Sequence, residues 1–420
     1  MKHNPKMDYT YIGVDSHLNS HTAVVLDCFY DKLGEMTIGS APSSFASFLK
    51  QVQKYCLEGT KPVFGFEDTT AYGRSLVKFL VKKGYLVKHC DAALVATERK
   101  SQNVLHKTDS VDAECCARVL LSRFDKLPIA NPQDEYWILS HLIVRRNFLG
   151  KMKHTLIRQL HTSIATNYPS YKTFFFHIDT NTALTFYETF PSPKTLEHVS
   201  LDELTKFIKT LSYGNLGETK AQHILDTIVA DGVTPSEYQD VCDFNIRSII
   251  KQLKGILLEI IDIEKQIEAF LVHFDYPLTQ VKGIDTLTCA RLIVEIGNID
   301  RFKNAKALAR YSGVAPVTYS SGMSNMQYAN ERGNRTLHAI FYRIALTSIM
   351  PVGSKKALLN PLFYDYYQKK IAEGKTKKQA IKCVQRRLVN IIFNIMKHKT
   401  VYINPELSYV DERTTDNEAS

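Results

Sequence analysis

The order of β-rich and helical segments over the first 120 residues narrows the fold more than any other feature of the sequence. Three segments rich in β-forming residues come first: YTYIGVD from Tyr9, HTAVVLD from His21 and, after a turn at DKLGE, MTIGS from Met36. A helix and a strand then alternate: Ser44–Cys56 is helical, KPVFGFED is a strand, Tyr72–Lys83 is helical, and YLVKHCD is a strand. These patterns predict a mixed sheet that starts with three antiparallel strands.

Three antiparallel strands followed by alternating helices and strands is the order of a ribonuclease H fold. We therefore predict an α/β N-terminal domain, followed by an all-α coiled-coil linker and a mainly α C-terminal domain. The predicted boundaries are a tail at residues 1–8, the α/β domain at 9–135, the linker at 136–275, the C-terminal domain at 276–398 and a polar tail at 399–420.

A regular apolar seam runs through the second half of the predicted linker. Its members are spaced alternately three and four residues apart over about four heptads: Ile246, Ile249, Leu253, Ile256, Ile260, Ile263, Ile267 and Phe270. The spacing predicts a coiled coil or a long helical hairpin, and we expect the seam to contact a second subunit. The alternative is a helix packed on its own domain.

Charge and cysteine usage indicate the setting in which the chain works. The formal net charge is +10, which favours a polyanionic partner such as nucleic acid without proving one. The eight cysteines include no CxxC pair, so we expect buried thiols in a reducing cytoplasm. The sequence shows no signal peptide and no apolar run long enough for a bilayer, so we expect a cytoplasmic protein that does not interact with membranes.

Four acidic residues are predicted to share one metal site. Asp15 and Glu67 close two strands that we expect to be neighbours, and Asp109 and Asp112 stand one turn apart at the start of a helix. Each alone is explained as a turn or helix-capping residue, but four converging carboxylates repel one another unless a cation compensates. Mg²⁺ or Mn²⁺ would do so, and a pair of such ions suits phosphoryl transfer on nucleic acid. His17 could approach the metals, although a polar turn is the preferred interpretation.

A second candidate site lies in the segment YSSGMS. Ser321 precedes Gly322 there, and Arg332, Arg335 and Arg343 follow. A serine nucleophile with cations nearby is what attack on a phosphodiester requires, although Ser-Gly pairs are also common in ordinary loops. Upstream, KGIDTLTCARL resembles the entry of a helix-hairpin-helix, with Asp285 where a second glycine is usual. Packing alone explains that segment equally well.

Two basic helical segments are candidates for nucleic-acid binding, since their charges are suited to phosphate contact. A solvated helix face is the alternative. The candidates are Arg145, Arg146, Lys151, Lys153, Arg158, Lys377, Lys378, Lys382, Arg386 and Arg387, together with Arg332 and Arg335.

These blocks, taken in order, resemble one known family over nearly the whole chain: the bridge-RNA-guided insertion-sequence recombinases, also called DEDD transposases. IGVDSH, FEDTTAYG and KTDSVDA are similar to its three acidic blocks, with Asp68 and Thr70 departing from the second. VKGIDTLTCARLIVEIGNIDRF, YSGVAP and SSG resemble its C-terminal serine domain, and NPLFYDYYQKKIAEGKTKKQAIKCVQRRLVNIIF resembles its closing helices. Ser320, beside the serine, stands where some relatives have an acidic residue.

The resemblance implies a RuvC-like N-terminal domain whose ligands are Asp15, Glu67, Asp109 and Asp112, and a catalytic serine at Ser321. It further implies a structured RNA that pairs with donor and target DNA, and a dimer to tetramer in which the acidic site of one subunit joins the serine of another. It also implies a prokaryotic, nucleoid-associated location. Two alternatives stay open. One is a metal-dependent nuclease resembling a Holliday-junction resolvase, and the other is a non-enzymatic nucleic-acid-binding protein.

Overall fold

The computed structural model describes residues 5–102, 106–130, 132, 134–232, 237–321, 324–328, 330, 332–352 and 357–402. The chain divides into two compact units, Met1–Trp137 (unit 1) and Ile138–Ser420 (unit 2). The finer division of unit 2 into a linker and a C-terminal domain stays a prediction. Within the described residues, none of the helices combines the length and the apolar character that crossing a membrane requires.

Unit 1 is built on a five-stranded sheet. Its strands are β1 (Tyr9–Ser16), β2 (Ser20–Leu26), β3 (Lys32–Gly39), β4 (Lys61–Phe66) and β5 (Leu86–His89). Their spatial order is β3-β2-β1-β4-β5, with β1, β2 and β3 antiparallel and with β4 parallel to both β1 and β5. This arrangement confirms the predicted α/β domain and makes the strands that precede Asp15 and Glu67 direct neighbours.

Helices pack on both faces of this sheet, because successive side chains of a strand point to opposite faces. They are α1 (Phe45–Tyr55), α2 (Arg74–Lys82), α3 (Ala92–Ser101) and α4 (Asp109–Ser122). Ile12 and Val14 of β1 pack in one core with apolar residues of α1 and α2. Tyr11, from the other face of β1, packs in a second core with α3 and α4. The sheet is therefore buried on both sides.

The turn between β2 and β3 differs from the prediction. DKLGE was expected to form it, but β3 already begins at Lys32, inside that segment. The turn instead forms at Asp27, whose Oδ1 accepts hydrogen bonds from the backbone N–H of Phe29 at 2.7 Å and of Asp31 at 2.9 Å. The carboxylate thus satisfies backbone donors that the strand ladder leaves free.

Unit 2 is mainly helical. Its helices are α5 (Asp134–Asn167, which begins in unit 1), α6 (Asn181–Thr189), α7 (Leu201–Leu211), α8 (Glu218–Asp231), α9 (Gln239–Leu271), α10 (Thr286–Ile296), α11 (Ala305–Tyr311), α12 (Arg335–Ile349), α13 (Pro361–Ala372) and α14 (Lys377–His398). Two hairpins interrupt them: β6 (Val317–Ser321) with β7 (Ser324–Tyr328), and β8 (Pro351–Val352) with β9 (Ala357–Leu358). The predicted helical region after the α/β domain is confirmed.

The apolar seam lies on α9 and is used inside the chain. Six of its eight side chains are buried, and five of these six, all but Ile267, share a core with apolar residues of α5, α6, α7 and α8. Arg145 and Arg146 near the start of α5 pair with Glu259 and Glu264 near the end of α9, so the two helices run antiparallel. The expectation that the seam contacts a second subunit is wrong for these buried side chains, because their own unit already covers them.

Helix α4 lies unusually close to β1, and Gly13 makes that approach possible. A Cβ atom at Gly13 would stand 2.1 Å from the carbonyl oxygen of Ala113 and 2.2 Å from the backbone nitrogen of Ala117. Both distances are far inside van der Waals contact, so only glycine fits at this position. Asp109 and Asp112 lie four residues and one residue before Ala113. The contact between Gly13 and α4 therefore also fixes the height of these acids above the end of β1.

We predict that Gly13→Ala destabilises unit 1 by about 3 kcal/mol or more, because the added methyl group meets backbone that cannot rotate away. Trp137 is the only tryptophan and packs within unit 1, with Arg74 4.3 Å above its ring, so its fluorescence during thermal unfolding reports on this unit. The matched control is Gly39→Ala in β3, where the nearest atom is Ser44 Oγ at 3.5 Å. It should leave the melting temperature unchanged or raise it. Equal effects of the two variants would contradict the packing argument.

Candidate active site and nucleic-acid-binding residues

Three elements of unit 1 bring the predicted acids to one edge of the sheet. Asp15 lies near the carboxyl end of β1, Glu67 directly follows β4, and Asp109 and Asp112 occupy the first turn of α4. β1 and β4 are parallel and adjacent, so their carboxyl ends meet at the same edge. The four predicted acids therefore lie at the same edge of the sheet, although the first and the last are nearly one hundred residues apart in the sequence.

The tightest cluster consists of Asp15, His17 and Asp109. Three potential ligand atoms, one from each side chain, lie within 4.8 Å of one another. Nε2 of His17 is 2.9 Å from Oδ2 of Asp15 and 3.3 Å from Oδ1 of Asp109. His17 lies in the polar turn between β1 and β2, as we expected, and its ring also lies between two of the predicted ligands.

Two cations contact Asp112. Arg99, in the last turn of α3, donates a hydrogen bond from Nη1 to Oδ1 of Asp112, and Lys107 Nζ lies 3.8 Å from Oδ2. Neither residue was among the predicted site residues. Lys107 stands inside the KTDSVDA block and could have been noticed there, whereas α3 carries no signal that would direct Arg99 to the acids.

Burial and neighbouring acids shift the pKa values of three side chains in and beside the cluster. Burial raises the pKa of Asp15, and Asp112 and Asp109 raise it further, in excess of the lowering by His17. Burial also raises the pKa of Glu67, with Asp15 and Asp112 adding to the shift. Burial lowers the pKa of His17, but the two neighbouring aspartates outweigh it and leave the pKa above its usual value. Burial is therefore the largest cause of both raised carboxyl pKa values, and the neighbouring acids add to it.

Asp68, one of the departures from the family pattern, has a different role. Its Oδ1 accepts hydrogen bonds from the backbone N–H of Thr70 at 2.9 Å and of Ala71 at 2.8 Å, and Oδ2 accepts one from Gly73. Burial raises the pKa of Asp68, but these amides lower it more and leave it below its usual value. Asp68 therefore forms the turn that leads into α2, and its carboxylate is already occupied.

The donor set of the cluster fits a hard divalent cation. Carboxylate oxygens are the ligands that Mg²⁺ and Mn²⁺ prefer, and Asp15 and Asp109 present theirs within reach of one ion. An ion of charge +2 would also relieve the repulsion that raises the pKa of Asp15 and Glu67. Helix capping does not explain the acids of α4, because the side chain of Thr108 already caps that helix.

The second candidate site lies at the tip of the first hairpin of unit 2. Ser321 is the last residue of β6, and its backbone pairs with Ser324 of β7. Gly322 and the side chains of Ser320, Ser321 and Ser324 lie outside the described part of the structure. Arg332 is exposed in the turn after the hairpin, and Arg335 is the exposed first residue of α12.

The predicted basic residues of α5 are largely occupied within unit 2. Arg145 and Arg146 pair with α9, and Lys153 Nζ lies 2.8 Å from Asp179 Oδ2. Lys151 and Arg158 are exposed. Of the five, these last two are the ones whose charges are not used in an ion pair among the described residues.

The basic residues of α14 divide into two groups. Lys377 and Lys378 are exposed at its first turn, while Lys382, Arg386 and Arg387 line a cavity. Elsewhere in unit 2, the start of α10 is capped by Asp285, whose Oδ1 accepts a hydrogen bond from Thr288 N at 2.6 Å. Because that carboxylate already occupies the helix N-terminus, the structure favours the packing interpretation of the KGIDTLTCARL segment.

Two protein-family models match much of the chain. Residues 12–169 match a DEDD-type IS110 model described as a transposase, and residues 275–368 match the model described as the transposase IS116/IS110/IS902 family. The two matches together cover more than half of the sequence and contain the four acids and Ser321.

Three relatives represent the individual proteins that the chain resembles. The chain is 22% identical to an uncharacterized protein of insertion element IS116 from Streptomyces clavuligerus, over 94% of the chain and 96% of that protein. It is 31% identical to an uncharacterized protein of IS110 from Streptomyces coelicolor, over 38% of each. It is 30% identical to a pilin gene-inverting protein of Moraxella bovis, over 29% of the chain and 36% of the relative.

We predict that millimolar Mn²⁺ or Mg²⁺ raises the melting temperature of unit 1, again followed through Trp137. A ligand present at about one hundred times its Kd, binding only the folded state, stabilises by about 2.7 kcal/mol. Asp15→Asn and Asp109→Asn should lose this shift. The control is Glu114→Gln, which alters an acid on the same helix that pairs with Arg118 at 2.9 Å and lies outside the cluster. A full shift in Asp15→Asn would exclude the metal site.

Proposed function

The chain belongs to the IS116/IS110/IS902 family of insertion-element transposases, and from that premise we propose that it cuts and rejoins DNA at a divalent-metal site and a serine. The metal ligands in this proposal are Asp15, Glu67, Asp109 and Asp112, and the nucleophile is Ser321. The observation that carries the proposal is the convergence of four acids from β1, β4 and α4 at one edge of the sheet. Relatives named as pilin gene-inverting proteins support it, since inverting a gene requires that DNA be cut and rejoined.

Each residue of the acidic site has a distinct part in this proposal. Mg²⁺ or Mn²⁺, when bound, supplies Lewis-acid stabilisation of charge on a phosphodiester. Asp15 and Asp109 hold the ion, and His17, between them, fixes the orientation of both carboxylates. Arg99 holds Asp112 in place and offsets part of the negative charge of the cluster.

Ser321 carries the covalent step of the proposal. Its Oγ loses its hydroxyl proton as it attacks the phosphorus of a DNA phosphodiester, the bond from phosphorus to one sugar oxygen breaks, and that oxygen takes up a proton as it leaves, so that one proton is lost and one is gained. The new bond joins the serine to the DNA end. Reversal with another sugar hydroxyl as nucleophile rejoins strands without an external energy source. Arg332 and Arg335 are proposed to stabilise the pentacovalent phosphate.

The proposal includes a structured RNA, transcribed from the same element, that selects donor and target DNA, and an assembly of two to four chains. Both elements rest on family resemblance. The basic residues proposed for nucleic-acid contact are Lys151, Arg158, Lys377, Lys378, Lys382, Arg386 and Arg387. We rank three other predicted basic residues as weaker candidates for nucleic-acid contact, because each would first have to leave an ion pair: Arg145, Arg146 and Lys153.

We predict that Ser321→Ala abolishes a covalent protein–DNA adduct. The purified chain is mixed with a labelled plasmid that carries its gene and flanking DNA, denatured, and digested so that the modified peptide can be mapped. The wild type should give an adduct at Ser321 that requires a divalent cation and is lost in Asp15→Asn. Ser320→Ala and Ser324→Ala are the controls and should keep it.

The same assay separates this mechanism from the alternatives. Strand cleavage that survives Ser321→Ala and requires the four acids would identify a metal-dependent nuclease instead. Binding of DNA with no metal-dependent cleavage in any condition would identify a non-enzymatic binding protein. An adduct at Ser320 or Ser324 would place the nucleophile at another serine.

We predict that the chain, purified from cells that carry the complete element, retains a structured RNA encoded beside its gene. Affinity for that RNA should fall steeply with added salt, because phosphate contacts release counterions. The measurement is sequencing of the retained RNA followed by a binding titration against an unrelated folded RNA of equal length. Equal affinity for the two RNAs would contradict a guide role.

A further inference from the structure

Unit 2 contains a cavity of about 590 Å³ whose charged side chains are all cationic. Most of its lining comes from the loop before α14 and from one stripe of that helix, whose members are spaced alternately three residues and one residue apart: Lys375, Gln379, Lys382, Cys383, Arg386, Arg387 and Asn390. Tyr366 of α13 and the short segment Val314–Pro316 complete the lining, and no acidic side chain takes part. A cavity of this size is ample for a phosphate with its attached sugar.

The cations of this cavity are held in place but their charge is not neutralised. The guanidinium of Arg387 lies 5.0 Å from the ring centroid of Tyr366, which orients it without cancelling its charge. Nη1 of Arg386 is buried and has no hydrogen-bond partner among the described residues. Burial lowers the pKa of Arg386. Burial also lowers the pKa of the nearby His338, and the positive charge of Lys382 lowers it further. The protein thus keeps positive charge here at an electrostatic cost.

The surrounding sequence does not supply the missing negative charge. Residues 369–390 contain eight Lys or Arg and a single acidic residue, Glu373. Glu373 is engaged by Lys370 at 2.7 Å. A buried donor without a partner and a surplus of fixed cations both call for an anionic ligand.

The cavity is next to the hairpin that carries Ser321. Pro316, in its wall, is followed directly by β6, and Ser321 is the last residue of that strand. A strand rises about 3.3 Å per residue, so Ser321, five residues after Pro316, stands about 17 Å along the chain from it. That separation corresponds to two or three nucleotides of an extended strand.

We propose that this cavity binds a backbone phosphate of the DNA strand on which Ser321 acts, a few nucleotides from the bond that is cut. The proposal rests on the proposed function. Lys375, Lys382 and Arg387 contact the phosphate oxygens, and the free Nη1 of Arg386 donates a hydrogen bond to them. Lys377 and Lys378 contribute only to the general attraction for DNA.

Binding in the absence of metal tests the cavity separately from catalysis. The full chain is titrated in EDTA against a labelled DNA strand, and against an RNA strand of the same sequence, at several KCl concentrations. Lys375→Gln/Lys382→Gln should weaken DNA binding about tenfold or more near physiological salt. The slope of log Kd against log [KCl] should fall by about 0.7, as expected for one lost phosphate contact on a single strand.

Two further double variants separate the cavity from a diffuse basic surface. Lys206→Gln/Lys209→Gln removes the same charge from the exposed face of α7 and should leave DNA affinity unchanged. Lys377→Gln/Lys378→Gln should weaken binding less than the cavity variant does. Equal losses in the cavity variant and in Lys377→Gln/Lys378→Gln would overturn the cavity in favour of general attraction. Loss of RNA binding alone would assign the cavity to RNA and overturn the proposal for DNA.

Lysine footprinting provides a second measurement that needs no variant. Bound DNA should protect Lys375 and Lys382 of the wild type from acylation, as read by mass spectrometry, and should leave Lys206 and Lys209 reactive. If Lys375 and Lys382 stay unprotected in a chain that binds and cuts DNA, the proposal that the cavity binds a DNA phosphate is wrong, but the proposed function stands. Protection and weakened binding in a chain that forms no adduct would overturn the serine mechanism but not the cavity.

Discussion

The contact between α4 and β1 is the constraint on which the acidic site depends. At Gly13 the helix backbone comes so near to the strand that even a methyl group would collide with Ala113 and Ala117. This approach places the first turn of α4, with Asp109 and Asp112, above the strand end that carries Asp15. β4 pairs in parallel with β1 and brings Glu67 to the same edge. A helix only slightly farther from the sheet would leave the acids too widely spaced to share a ligand.

Bringing four carboxylates together has an electrostatic cost, and the chain offsets it in part with its own cations. His17 lies between Asp15 and Asp109, and Arg99 donates to Asp112. The pKa of Asp15 and of Glu67 nonetheless stays above its usual value, first because of burial and then because of the neighbouring acids. A bound divalent cation would favour the charged form of both carboxylates. The sheet and its tightly packed helix supply the rigidity that keeps the carboxylates from moving apart in its absence.

The sequence predicted the strand order and the four acidic positions because both depend on local patterns: β-rich segments, turn residues and acids at element ends. It could not reveal Arg99, since no periodicity links the last turn of α3 to Asp112. It placed the turn after β2 a few residues late, because the capping by the carboxylate of Asp27 is a three-dimensional contact. The spacing of the α9 seam predicted an apolar stripe, but spacing alone does not say what covers it, and we expected a second subunit. Here apolar residues of α5, α6, α7 and α8 share its core.

The net positive charge of the chain and the cluster of acidic residues lie on different units. Unit 1 contains 17 Lys or Arg and 16 Asp or Glu, so nearly all of the net charge of +10 belongs to unit 2. Unit 1 therefore has little net charge of its own to attract a polyanion, whereas unit 2 carries a surplus of cations. The cationic stripe of α14 belongs to unit 2. In the mechanism proposed above, added salt should weaken nucleic-acid binding mainly through unit 2, while metal binding by the short carboxylate contacts of unit 1 should respond much less.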